Sequence, residues 1–388
     1  MQIKKALKVS IVSTALAATS LVSADDSLIL GKVNETPFLQ NIGVSLGGWL
    51  DLGGTYNAHS PDDNFNSPVS FNDRHLEAQV NQVYLFVERA VNTEGNSFDI
   101  GFRADVLFGT DARFTLNDDL DDDLLGDDYS RFYRLSFPQL YVEVFAPVLN
   151  GVSAKIGHFY TIIGNEVVTS PDNFFYSHAY TMLYAEPFEH NGVLFSTPIN
   201  DDITLMAGGV LGWDNFSRDT DVWNFLGGVS WQISDATNVT ITAIEGEISE
   251  ARRGEERFLY SIVANHDFSD KLHYTFQHDH AREDVAGGGE VEWYGINQYL
   301  VYDVNDQMSA GLRAEWFRDD DGARVTGVPG SFFAITGGVN YTPPGVGWLK
   351  LRPEVRYDWV DSNGNGDAFD GATDNEQLTV AVDVVVNF

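Results

Sequence analysis

The most regular stretch of the sequence is LTVAVDVVVNF, residues 378–388. Its even positions are Leu378, Val380, Val382, Val384, Val386 and Phe388. Its odd positions are Thr379, Ala381, Asp383, Val385 and Asn387. A period of two marks a strand, and one face of this strand is wholly apolar. The pattern recurs near the other end, where IGVSLGGWLDLGGTY sets Ile42, Val44, Leu46, Leu50, Leu52 and Tyr56 against Ser45, Asp51 and Thr55. In FDIGFRADVLF, Phe98, Ile100, Phe102, Ala104, Val106 and Phe108 oppose Asp99, Arg103 and Asp105. Met308, Ala310, Leu312, Ala314 and Trp316 oppose Ser309, Arg313 and Glu315. Leu349, Leu351, Val355, Tyr357 and Trp359 oppose Lys350, Arg352, Glu354, Arg356 and Asp358.

Alternation alone fits a soluble sandwich or a membrane barrel; the connections decide between them. Seven are short and turn-like, such as NTEGN at 92–96 and PPGVG at 343–347. Eight are mostly long, acidic or glycine-rich, near 58–76, 109–134, 164–187, 214–221, 249–254, 284–289, 319–330 and 360–373. Seven turns alternating with eight loops predict sixteen strands with both chain termini on the short-turn side. The fold class expected is all-β, a transmembrane up-and-down antiparallel barrel with short periplasmic turns and long extracellular loops. The last strand, 378–388, is then expected to close on the first, 42–56. Trp213, Trp231, Trp293, Trp316, Trp348, Tyr357 and Trp359 fall near strand ends, where interfacial girdles place aromatics.

The start of the chain changes the compartment. Lys4, Lys5 and Lys8 precede an apolar run from Val9 to Val22, and Val22-Ser23-Ala24 fits a cleavage site. Residues 1–24 therefore read as a secretory signal peptide, 25–41 as a periplasmic segment and 42–388 as the barrel. With 57 acidic against 23 basic residues the formal charge is −34, which argues against nucleic acid and anionic membrane surfaces as partners. There is no cysteine, so neither disulfides nor thiolate metal sites contribute.

Several stretches resemble the OmpL-like β-barrel porin family of the bbp2 type. They are FNDRHLEAQVNQVYLFVERAV (71–91), FRADVLFGTDA (102–112), QLYVEVFAPVLNGVSAKIGHFYTIIGNEVVTSPDNFFYSHAY (139–180), PFEHNGVLFSTPINDDITLMAGGVLGWDN (187–215) and LRPEVRYDW (351–359). The resemblance implies a pore in the bacterial outer membrane and fixes no substrate. A terminal aromatic on the lipid-facing row, Phe388, resembles the signal read by barrel-assembly machinery.

Candidate chemistry is therefore that of a pore lining. Arg103, Asp105, Lys155, Arg313, Glu315, Lys350, Arg352, Glu354, Arg356, Asp358 and Asp383 fall on inward faces and would set a field across the lumen. The loop 164–187 follows the fifth strand, where sixteen-stranded porins by fold analogy fold a loop inward; Asn165, Glu166 and Asp172 are its candidate liners. The loop DSNGNGDAFDG carries Asp361, Asn363, Asn365 and Asp367 at calcium-loop spacing, although position twelve is Ala372 and supplies no bidentate acid. The run NDDLDDDLLGDD at 117–128 reads mainly as a solvated loop, with divalent bridging to lipopolysaccharide as the alternative. No nucleophile elbow, HExxH or phosphate-loop pattern occurs, so no enzyme activity and no organic cofactor are expected.

The leading expectation is a porin for passive diffusion of small hydrophilic solutes and ions. Alternatives are a substrate-specific channel with a solute-binding lumen, a barrel enzyme such as a lipase, and an adhesive barrel with a blocked lumen. Outer-membrane lipid, lipopolysaccharide and a homotrimer are the expected partners.

Overall fold

The computed structural model describes residues 30–117, 120–122, 124–125, 132–216 and 221–388. The signal-peptide expectation for 1–24 lies outside the described residues. Two short helices, α1 Leu30–Asn34 and α2 Pro37–Ile42, precede the first strand. Pro37 opens α2, and Gly43, at φ +67, closes it. Ile42 is thus helical, and the first strand begins at Ser45, three residues later than the alternation suggests. The Asn34 side chain bonds both the N–H and the C=O of Leu46, pinning the helices to the start of that strand.

The strands are β1 Ser45–Asn57, β2 Ala78–Arg89, β3 Asp99–Gly109, β4 Arg134–Ser136, β5 Leu140–Ala146, β6 Val152–Tyr160, β7 Glu189–Pro198 and β8 Ile203–Val210. They continue as β9 Asn224–Ser234, β10 Thr237–Glu247, β11 Glu256–Ser269, β12 Leu272–Asp284, β13 Glu290–Asn305, β14 Met308–Asp319, β15 Gly330–Tyr341, β16 Leu349–Asp361 and β17 Glu376–Asn387. β4 and β5 both pair with β3 and are two pieces of one stave, broken at Phe137-Pro138-Gln139. Proline cannot donate to a ladder, so the pairing skips there and resumes through Asp105 N–H to Gln139 O, 2.9 Å. Counted so, the barrel has sixteen staves.

Every stave pairs antiparallel with its sequence neighbours, and β17 closes on β1 from Trp49↔Asn387 to Asn57↔Thr379. This is the closure expected for the terminal strand. A closed barrel leaves no edge to satisfy, which is what a lipid setting requires. Among the described residues no helix is long and apolar enough to cross a membrane.

The two faces of each strand differ as the alternation requires. Leu312, Ile335, Val355, Val380 and Val382 are 46–48% exposed, while their sequence neighbours Arg313, Thr336, Arg356 and Asp383 are fully buried. An aliphatic band exposed all round, with charges turned inward, inverts the soluble pattern and suits hydrocarbon. The buried core lies inside the barrel. Trp293, Phe317, Phe332, Ala334 and Val360 project inward and pack with Phe159, Ile162, Tyr180 and Ala185. Trp293 therefore belongs to this inner layer and not to a girdle, and Trp213 packs against the same cluster. Trp231 and Tyr357 are on the exposed surface.

Candidate functional site: a loop seated in the lumen

Residues 161–188, between β6 and β7, run inside the barrel. An irregular segment there needs partners for its backbone groups, because each buried unpaired group costs about 1–3 kcal/mol. The inner faces of β14, β16 and β17 supply them. Arg352 Nη1 donates to Ser170 O at 2.7 Å and Asn173 O at 2.8 Å, while its Nε is held by Asp383 at 3.0 Å. Glu354 accepts from Tyr176 N at 2.9 Å and Ser177 N at 3.2 Å. Arg356 Nη1 donates to His178 O at 2.8 Å and to Glu315 at 3.1 Å. Arg313 Nη1 donates to Ser177 O at 2.6 Å and Glu166 at 2.7 Å. Glu315 accepts from Tyr180 N at 2.9 Å, and Asp358 from Tyr180 Oη at 2.8 Å. Lys350 Nζ donates to Pro171 O at 3.0 Å. The ladder read from the sequence as pore lining is, on this wall, covered by the loop.

Shape completes the seat. A Cβ on Gly311 would lie 2.3 Å from the Phe174 ring, and one on Gly53 2.2 Å from Tyr176 Oη. A Cβ on Gly338 would press the Phe175 ring at 3.2 Å. These glycines leave recesses into which three consecutive aromatics fit. Burial alone would raise the Glu166 carboxyl, but Arg313, His178 and the Ala179 N–H outweigh it and bring the group down to about 2.

A few staves round the ring, β3, β5 and β6 carry charge that bonds within the wall and not to the loop backbone. Arg103 Nε meets Asp105 at 2.8 Å, and Asp105 also accepts from Gln139 at 2.8 Å and from Tyr84. Lys155 lies over the Tyr141 ring at 4.4 Å and faces Glu143 across the β5–β6 ladder. Asn165 and Asp172 are half-buried on the loop, and Asp172 accepts from Thr169 Oγ1 at 2.6 Å.

The remaining sequence candidates sit elsewhere. Asp361, Asn363, Asn365 and Asp367 occupy the β16–β17 connection, where Asp361 caps Asn363 N at 3.2 Å and Asn365 bonds Ser362 O at 2.8 Å. Among the described residues no group of three His, Cys, Asp or Glu is placed to hold a metal. In the run 117–128, Asn117 and Asp121 are buried, and Asp121 caps Asn117 N and Phe137 N at 2.8 and 2.7 Å. That part of the run is a structural turn, not a solvated loop. Residues 118, 119, 123 and 126–128 lie outside the described residues.

Sequence reading missed three features. Ser170 Oγ donates to the buried Asp51 at 2.6 Å. Gln277 bridges Asp279, at 2.6 Å, and Glu186, tying the end of the loop to β12. His158 and Glu189 meet at 3.1 Å beside Asn117. Asp51, Gln277 and Asp279 stand on inward faces, so alternation marks them; what they would touch depends on the loop path.

The sequence matches the family described as "Putative beta-barrel porin-2, OmpL-like" over residues 43–388. The chain belongs to that family. It is a β-barrel porin of the bacterial outer membrane, with the loop 161–188 seated inside the barrel. Among curated proteins, none matches. Solved structures similar in fold include the anion-selective porin of Comamonas acidovorans, at 11% identity and TM-score 0.61, covering 89% of this chain and 99% of that one. The outer-membrane channel DcaP of Acinetobacter baumannii is 11% identical at TM-score 0.59, over 89% and 97%. The trimer form of Vibrio cholerae OmpT is 12% identical at TM-score 0.55, over 89% and 99%.

Proposed function

We propose that this porin is a water-filled channel for passive diffusion of small hydrophilic solutes and ions, with the loop 161–188 as a fixed constriction. The observation that carries the reading is the loop's anchorage. Arg313, Arg352 and Arg356 each give at least one bond to loop backbone. Buried pairs cost several kcal/mol when one partner is removed, so such a loop is a liner and not a gate that opens each cycle. The charges on the seating wall satisfy one another and the loop, which leaves a weak field in the open lumen. Low ion preference follows, with Lys155, Asn165 and Asp172 as the residues that tune it.

Single-channel recording in planar bilayers tests this. The expected result is a conductance linear in salt concentration and a reversal potential near zero across a salt gradient. Saturable flux of one solute class would replace it with the substrate-specific reading. We also propose assembly as a homotrimer and insertion through recognition of the β17 strand ending in Phe388; migration of unheated protein on gels tests the first, and the insertion yield of Phe388→Ala the second.

A further inference from the structure

The end of the seated loop is held differently from its middle. From Glu166 to His178 the loop meets Arg313, Arg352 and Arg356. Past Tyr180 most of its partners are neutral: Asn297 donates to Thr181 Oγ1, Trp293 Nε1 to Ala185 O at 3.4 Å, and Gln277 to Glu186. The exception is Arg324 Nε, which donates to Tyr184 O at 2.7 Å.

Glu186 and Asp279 meet at this end, at 5% and 0% exposure. Their carboxyl groups are within hydrogen-bonding reach of each other. Gln277 Nε2 gives one hydrogen to each, at 2.5 Å to Glu186 Oε1 and 2.6 Å to Asp279 Oδ2. Ser261 stands opposite Asp279 on the β11–β12 ladder. A Cβ on Gly164 would collide with the Glu186 carboxyl, so that group is also wedged against the start of the loop. Neither carboxylate is in an ion pair with lysine, arginine or histidine among the described residues.

The charges packed around the two are already matched. Glu166, from the loop, is held by Arg313 of β14 at 2.7 Å and by His178 at 3.3 Å. Glu283, further along β12, takes Arg252 and Arg257 at 2.6 and 2.5 Å. His278, on the outer face of β12, gives its Nδ1 hydrogen to Gly295 O at 2.9 Å and meets Tyr260 Oη at 3.1 Å. From β13 the neighbours are Trp293 and Asn297, both neutral. Two buried carboxyl groups in contact without a cation cannot both be ionised. Burial first, and then Asp279, hold the Glu186 carboxyl well above its ordinary range.

We propose that Glu186 and Asp279 share one proton at neutral pH, and that this proton fastens the end of the loop to β12 as the arginines fasten its middle. One carboxyl donates its O–H to the other, and Gln277 bridges the pair. In alkaline medium, above about pH 8, the proton leaves for solvent. Two anions then stand side by side, and residues 185–187 part from the wall. The sign is opposite to that of Glu166. The folded pair binds a proton that the unfolded chain has released, so its stabilisation is complete in acid and is lost as pH rises through the alkaline step.

Infrared spectroscopy reads the proton without current, so its outcome is independent of the diffusion reading. The detergent-solubilised, heat-modifiable porin is compared at neutral pH with Glu186→Gln and with Asp279→Asn. The intact porin should show a protonated-carboxyl C=O stretch that both variants lack, because the amide of either supplies the shared hydrogen permanently. Glu166→Gln should keep that stretch, since Glu166 is ionised beside Arg313. Raising the pH of the intact porin should abolish the stretch and raise single-channel conductance together, and Glu186→Gln should show no alkaline rise. No such stretch in the difference spectra, its loss from only one of the two variants, a stretch in the intact porin indifferent to alkali, or an equal alkaline rise in Glu186→Gln would each overturn the proposal.

Discussion

Two stretches of the barrel wall carry the same kind of inward charge and use it differently. On β14 and β16 the arginines divide their donors between strand carboxylates and loop carbonyls, so Arg352 bonds Asp383 of β17, Ser170 and Asn173 together. On β3 and β6, Arg103 bonds Asp105 within its own strand, and Lys155 rests on Tyr141. An inward charge therefore fastens the loop where the loop lies over it and is spent within the wall where it does not, as for Arg103 and Asp105 at 3% and 1% exposure. Position on the strand face does not distinguish the two roles; the path of residues 161–188 does.

The largest effect that separates them is removal of a fastener. Arg356→Ala takes the cation from Asp358 and a donor from both Glu315 and His178 O, and should cost about 3–5 kcal/mol in urea unfolding while raising conductance and current noise. Next comes Gly311→Ala, whose methyl collides with Phe174; about 1–3 kcal/mol should be lost. Gly337→Ala is its control: a Cβ there meets nothing within 4 Å, and stability should change by less than about 0.5 kcal/mol. On the other wall, Lys155→Met should barely alter unfolding but move the reversal potential toward cations. The smallest effect is that of acid. Glu166 sits at about 2 against an ordinary 4.5, so its stabilisation is complete above about 4.5 and disappears as pH falls through 2. Conductance should hold from pH 7 to 4, and Glu166→Gln should remove whatever change appears below 3.

How much of this was legible in the sequence follows the range of the interactions. Strand alternation is local, so the sixteen staves, the closure of β17 on β1 and the inward rank of Arg313, Arg352 and Arg356 could be read directly. The exceptions are local too: Pro138 splits one stave, and Pro37 with Gly43 makes a helix of what resembled strand at Ile42. The seat was not legible, because each of its bonds joins residues far apart, such as Arg352 to Ser170. Nor was the inner apolar layer. Trp293 and Trp213 look like girdle residues until the strand face and the loop path are known. The glycines at 53, 311 and 338 gave no signal beyond composition, since their purpose is the shape of a distant aromatic.

The central claim is that the loop narrows the channel as a fixed part of its wall. The most direct test replaces residues 165–185 with a short glycine-serine linker and compares single-channel conductance with that of the intact porin. Removing a liner should leave a heat-modifiable barrel with a conductance several-fold higher and quieter solute exclusion. An unchanged conductance from a correctly folded barrel would contradict the claim.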